Sequence, residues 1–148
     1  YSLYNLYRFS HYYEEAYGKY IWLKSGASLV IEHTEAMTVI DVNTGSVLKK
    51  KKQEDTLFYQ INREAAKEIA RQLRLRNISG IIMIDFINMK DTAQKEKLLS
   101  LLDSECKKDR VHCNVIDMTA LNLVEMTRSK VRKPLHEQIR SCMKNNRS

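Results

Sequence analysis

The sequence predicts an α/β domain in which a mixed β-sheet is flanked by helices. Three observations predict it. Segments of helical periodicity alternate with short β-branched ones, in the order helix, two strands, helix, strand, helix, two strands. The chain of 148 residues, 43% hydrophobic and 29% charged, suffices for one core and leaves no room for a second large one. The segment Ile81-Ile82-Met83-Ile84-Asp85-Phe86 is apolar on both faces, as a central strand of a covered sheet would be.

Residues 2–17 read as an aromatic-rich helix. Leu3, Leu6, Tyr7, Ser10, Tyr13 and Tyr17 recur at helical spacing, and Gly18 can end it. Ala27 to Ile31 and Met37 to Val42 are strands joined by the polar Glu32-His33-Thr34-Glu35, which makes a hairpin. The second ends in Asp41-Val42-Asn43-Thr44-Gly45, where the glycine marks a turn. Lys49 to Asp55 reads as a basic loop. A helix then spans about Asn62 to Arg76, with Ala65, Ala66, Ile69, Ala70 and Leu73 on one face and Lys67, Arg71 and Arg74 on the other. Asn77 to Gly80 stops it and leads into the central strand. Asp91 followed by Gln94 resembles a capping box, opening a helix to about Lys107 through Leu98, Leu101 and Leu102. Val111 to Met118 and Leu121 to Met126 are further strands. From Lys130 onward the tail is basic, polar and weakly patterned. Strands separated by helices call for parallel crossovers, and the first pair calls for a hairpin.

Composition narrows the partners. With 25 Lys and Arg against 18 Asp and Glu, the net charge of +7 favours polyanions, because each phosphate contact releases condensed counterions. Lys49 to Lys52 supply four of those charges, and such a run is more often a solvated loop than a binding patch. No stretch reaches the roughly 18 apolar residues of a membrane span. The opening Tyr-Ser-Leu-Tyr-Asn carries no initiator Met and no signal pattern, so the chain is expected to be a piece of a longer protein. Cys106, Cys113 and Cys142 form no Cys-x-x-Cys pair, which points to a reducing cytoplasm; Cys106 and Cys113 read as core thiols. His11, His33, His112 and His136 are scattered, so neither zinc nor a histidine relay is supported. Four glycines form no phosphate-cradling loop.

The chemistry sits at strand ends. Alternation puts Val39, Asp41 and Asn43 on one face of their strand and Ile40 and Val42 on the other. Asp85 closes a different strand, and in an open α/β sheet ligands gather beyond the carboxyl ends. If the two strands are parallel neighbours, Asp41 and Asp85 meet at one edge. Two close carboxylates repel, so one protonates or a cation neutralises both. Oxygen ligands from Asp and Asn suit a hard divalent ion, Mg²⁺ or Mn²⁺, which keeps its waters and meets substrate phosphates. On spacing alone the same Asp-Val-Asn-Thr-Gly also suits an Asx-turn. Glu125 reads as a structural partner for Arg128.

Five blocks carry a resemblance. Trp22-Leu-Lys-Ser-Gly, Thr34-Glu-Ala-Met-Thr-Val-Ile-Asp-Val-Asn-Thr-Gly45, the helix from Asn62 to Asn77, Gly80-Ile-Ile-Met-Ile-Asp-Phe-Ile-Asn-Met89 and Leu123-Val-Glu-Met-Thr-Arg128 together resemble the ribonuclease E/G family. The resemblance runs from about Trp22 to Leu135. It implies a helix over residues 1–20 leading into a deoxyribonuclease I-like catalytic subdomain over 21–135, and a tail over 136–148 at the position of the family's zinc link. It implies an endoribonuclease that cuts single-stranded, AU-rich RNA in the cytoplasm and assembles as a homo-oligomer. Asp41 and Asp85 fall on the family's metal-binding aspartates, and Asn43 on the asparagine that orients metal and scissile phosphate. Arg128, Lys50 and Lys51 are expected to hold phosphates. The alternative is a non-catalytic module that binds RNA or a sister subunit. Two departures stand out: Asn88 replaces a second Asp, and Cys142-Met-Lys-Asn145 offers one thiol where the family has a Cys-Pro-x-Cys link, so zinc is not expected.

Overall fold

The computed structural model describes residues 17–45, 47, 54–131 and 135–145. The helix expected over residues 2–17 falls almost wholly outside them, as do Lys50 and Lys51 in the basic loop. The described elements are β1 (Tyr20–Trp22), β2 (Ser28–His33), β3 (Met37–Asn43), α1 (Glu54–Leu75), β4 (Gly80–Asp85), α2 (Thr92–Cys106), β5 (Cys113–Met118), β6 (Leu123–Arg128) and α3 (Leu135–Asn145). The strands form one mixed sheet in the order β1-β2-β3-β4-β6-β5. This is the expected α/β class.

The hairpin of β2 and β3 is antiparallel. Its turn is held by Thr34, whose hydroxyl donates to the Met37 carbonyl at 2.9 Å and accepts from the Met37 N–H at 3.0 Å. β3 and β4 pair parallel across the α1 crossover, whereas β6 is antiparallel to both β4 and β5. β6 therefore inserts between β4 and β5, and the second crossover skips one position. The edge strand β5 carries a register shift between Val115 and Asp117, a device that weakens an edge as a template for further pairing.

Helix α1 begins two turns before the expected Asn62. Leu57, Ile61, Ala65, Ile69 and Leu73 form one buried row at four-residue spacing, so the apolar stripe continues through the earlier turns. It ends in a left-handed residue, Asn77 at φ 49°, with the Ile78 N–H donating back to the Leu73 carbonyl at 3.0 Å. In α2 the Asp91 side chain caps the helix by accepting from the Ala93 N–H at 2.9 Å. The reciprocal half of the expected box is not formed, and Gln94 Oε1 is buried without a partner among the described residues.

Among the described residues the helices cover one face of the sheet. Ile40, Ile82, Ile84, Val124 and Met126 join α1 and α2 in one core. On the other face Ile81 is 48% exposed. Both crossovers advance the same way along the sheet, and right-handed crossovers in one direction place their helices on one face. Among the described residues the second face is open.

Two elements went unpredicted. Three residues of β1 are too few to show a period of two, and α3 carries few buried side chains to mark its face. The tail thus begins as a helix, tied to α1 by the Leu135 N–H donating to the Arg76 carbonyl at 3.0 Å. Of the thiols, Cys106 is buried and Cys113 half-buried, in keeping with the expected core placement, and Cys142 is exposed on α3.

Candidate active site

Asp41 lies opposite Asp85 in the parallel register of β3 and β4. Ile40, Val42 and Ile84 face the core, so alternation turns both aspartates and Asn43 onto the open face. All three are exposed. Neighbouring strands stand about 4.8 Å apart, which brings the two carboxylates side by side at the strands' carboxyl ends. Strand pairing does this, because no sequence-local interaction links residues so far apart in the chain.

The electrostatics follow from that placement. Partial burial pushes the Asp41 carboxyl above its ordinary range, and the negative charge of Asp85 adds to the rise. Glu32 on the neighbouring β2 contributes in the same sense, while the Val42 N–H hydrogen bond opposes it. A site that disfavours its own negative charge gains from a bound cation. The donor set of two carboxylates and an amide is all oxygen on the ligating side, which suits a hard ion that keeps most of its waters. Among the described residues no group of three or more His, Cys, Asp and Glu is placed to hold a metal. A hard ion such as Mg²⁺ commonly fills its other positions with water and substrate phosphates.

Contacts that the sequence did not announce hold the frame. Asn62, fully buried on α1, grips the segment after Asp85 from both sides: its Nδ2 donates to the Ile87 carbonyl at 2.8 Å, and its Oδ1 accepts from the Ile87 N–H at 3.0 Å. Asn88 accepts from Asn122 Nδ2 at 3.3 Å, binding the same segment to the turn before β6. Gly45, at φ +57°, closes the strand end bearing Asn43, and a Cβ there would lie 3.0 Å from the Gly26 carbonyl oxygen. A side chain at 45 would thus be strained by its conformation and crowded by a close backbone approach.

Arg128 is not at this site. It lies opposite Gly80, at the start of β4 and so at the far end of the sheet from Asp85. The residue is 4% exposed, and its guanidinium donates to Asp109 at 2.8 Å, to Asn77 Oδ1 at 2.9 Å and to the Ile78 carbonyl at 3.1 Å. Buried and bonded in this way, the arginine serves as a structural tie. Its acidic partner is Asp109 and not Glu125, because Glu125 alternates onto the open face between Met83 and Asp117. Lys50 and Lys51 lie outside the described residues. The open face also carries Tyr20 and Trp22, which the sequence reading passed over because β1 is so short.

The sequence matches the ribonuclease E/G family over residues 1–131. It is 45% identical over 122 residues to ribonuclease G of Escherichia coli (strain K12), covering 82% of this chain and 25% of that one. It is 47% identical over 122 residues to ribonuclease G of Haemophilus influenzae, with the same coverage. It is 42% identical over 115 residues to ribonuclease E of a Nostoc species, covering 78% of this chain and 17% of the relative. The chain spans about a quarter or less of the length of these curated relatives.

Proposed function

The chain belongs to the ribonuclease E/G family, and from that membership we propose that it is the metal-binding catalytic part of an endoribonuclease. The substrate is single-stranded RNA, cut during RNA processing and decay. The carrying observation is the parallel register of Asp41 with Asp85 on an open sheet face. The expected subdomain division at 21–135, with a tail at the family's zinc-link position, is part of the same reading. Homo-oligomeric assembly of the longer protein and a cytoplasmic location also belong to it. The three cysteines are free, and no described helix is long and apolar enough to cross a membrane.

Asp41 and Asp85 would hold Mg²⁺, or Mn²⁺ in its place. When bound, such an ion polarises a phosphoryl oxygen and provides an activated water for in-line displacement at phosphorus. Asn43 stands two residues beyond Asp41 on the same face, where its amide can orient a phosphate oxygen. Asn62 keeps the chain beyond Asp85 from moving, which fixes the spacing on which the shared site depends. Basic residues elsewhere supply most of the affinity, since phosphate contacts dominate RNA binding. Rate and affinity therefore rest on different groups.

In the full-length protein, Asp41→Asn and Asp85→Asn should each nearly abolish cleavage of a single-stranded oligonucleotide while leaving its binding largely intact. The loss should exceed the roughly 10- to 100-fold that outer-shell substitutions cost metal sites. Cleavage persisting near the wild-type rate in either variant, across several Mg²⁺ concentrations, would place the chemistry elsewhere.

A further inference from the structure

We propose that Tyr20 and Trp22 form a base-stacking subsite for single-stranded RNA, next to the Asp41–Asp85 pair on the open face of the sheet. The proposal rests on the ribonuclease reading and adds a second set of substrate contacts to it. Single exposed apolar side chains are ordinary on protein surfaces, and exposure by itself argues nothing. Their placement does. Ile21 packs against the core, so alternation sends its two neighbours to the opposite face, where Tyr20 is 61% and Trp22 73% exposed.

Register connects these rings to the carboxylates. Tyr20 lies opposite Val30, Val30 opposite Asp41 and Asp41 opposite Asp85, a single row across four strands. Trp22 lies opposite Ser28, and Ser28 opposite Asn43, in the next row. Side chains in a row share a face, so Tyr20 stands two interstrand spacings, about 10 Å, from Asp41 and three from Asp85, and Trp22 stands two from Asn43. A nucleotide neighbouring the scissile phosphate can span that gap. Val30 and Ser28, both smaller than the rings, occupy it, and Ser28 is itself buried. Lys19 lies beside the platform: its ammonium is 5.8 Å from the Tyr20 ring centroid and pairs with Glu32 at 2.8 Å, which offsets the carboxylate's charge there. Exposed aromatics on a flat sheet are a recurring way to hold unpaired bases, because every base has a face to stack.

The test uses the full-length protein in an Asp41→Asn background, where RNA is bound without being cut, and oligonucleotides carrying one 2-aminopurine at successive positions near the cleavage site. One position should be quenched on binding. Trp22→Ala or Tyr20→Ala should remove that quenching and weaken binding roughly tenfold, and Trp22→Phe or Tyr20→Phe should restore both. An abasic nucleotide at that position should weaken binding to the Trp22-containing protein but not to its Ala variant. Unchanged quenching and affinity in both Ala variants, with Asp-dependent cleavage intact in the otherwise wild-type protein, overturns the platform and leaves the ribonuclease reading standing. Ala variants that change only the sedimenting mass also overturn it, since the rings then face a second copy. A wild-type protein that neither binds nor cuts RNA overturns both.

Discussion

Arg128 and Asp41 are both charged residues at strand ends, and their neighbours give them opposite roles. Asp41 sits on the open face beside another carboxylate, with its protonation favoured by partial burial and by Asp85. Arg128 sits under the sheet with Asp109. Burial alone would push the Asp109 carboxyl up, but hydrogen bonds from Arg128 and the Val111 N–H, with the guanidinium charge, hold it below its ordinary range. Breaking a buried ion pair leaves the remaining charge uncompensated, which typically costs about 3–5 kcal/mol. Arg128→Ala should therefore lower the unfolding free energy by about 3 kcal/mol or more in denaturant titrations. RNA affinity, measured under folding conditions, should stay at the wild-type level. A variant of normal stability with weakened RNA binding would return Arg128 to the phosphate-binding role that the sequence suggested.

Two elements are held by contacts that single substitutions can test. The segment after β4 is held by Asn62, and Asn62→Ala would strand the Ile87 N–H and carbonyl without their partner. That should cost about 1–3 kcal/mol of stability and lower the cleavage rate through the loosened end of β4, with RNA binding little changed. Rate and stability both at wild-type values would show that the clamp is dispensable. Helix α3 docks through His136, whose ring stacks on His33 with centroids 3.7 Å apart. His33 Nδ1 also meets the Thr38 hydroxyl at 3.0 Å. Burial, with the nearby His136, Arg76 and Arg140, lowers the His33 pKa to about 4. His136 is lowered as well, by burial first and by Arg140, with Glu137 opposing. A folded pKa below the unfolded value of about 6.5 means that the folded state favours neutral imidazole. This contribution is complete above about pH 6.5 and is lost as pH falls towards 4. Hydrogen-exchange protection factors in α3, with the intrinsic pH dependence of exchange divided out, should fall as pH drops across that window, and His33→Asn should flatten the dependence. A wild-type profile that is flat from pH 7 to 4.5 would mean that the stack does not hold α3.

At the scale of the whole molecule, one face of the sheet does the packing and the other presents the candidate chemistry. The helices gather on the first because both crossovers run in one direction. This leaves Asp41, Asn43, Asp85, Tyr20 and Trp22 facing solvent together. The division was partly legible in the residues themselves. Alternation in β3 separated Asp41 and Asn43 from Ile40 and Val42, and the apolar run before Asp85 marked a central strand. The stripe on α1 and the stop at Asn77 were also written locally, because a helix reports its buried side through its own period. Tertiary structure alone decided that Asp41 faces Asp85, that Arg128 takes Asp109, that β6 enters between β4 and β5, and that no described element covers the second face of β4. Periodicity tells a residue which side of its own element it occupies. It carries no information about which element will cover that side, since strand pairing and crossover direction join residues far apart in the chain and are set by the packing of the whole.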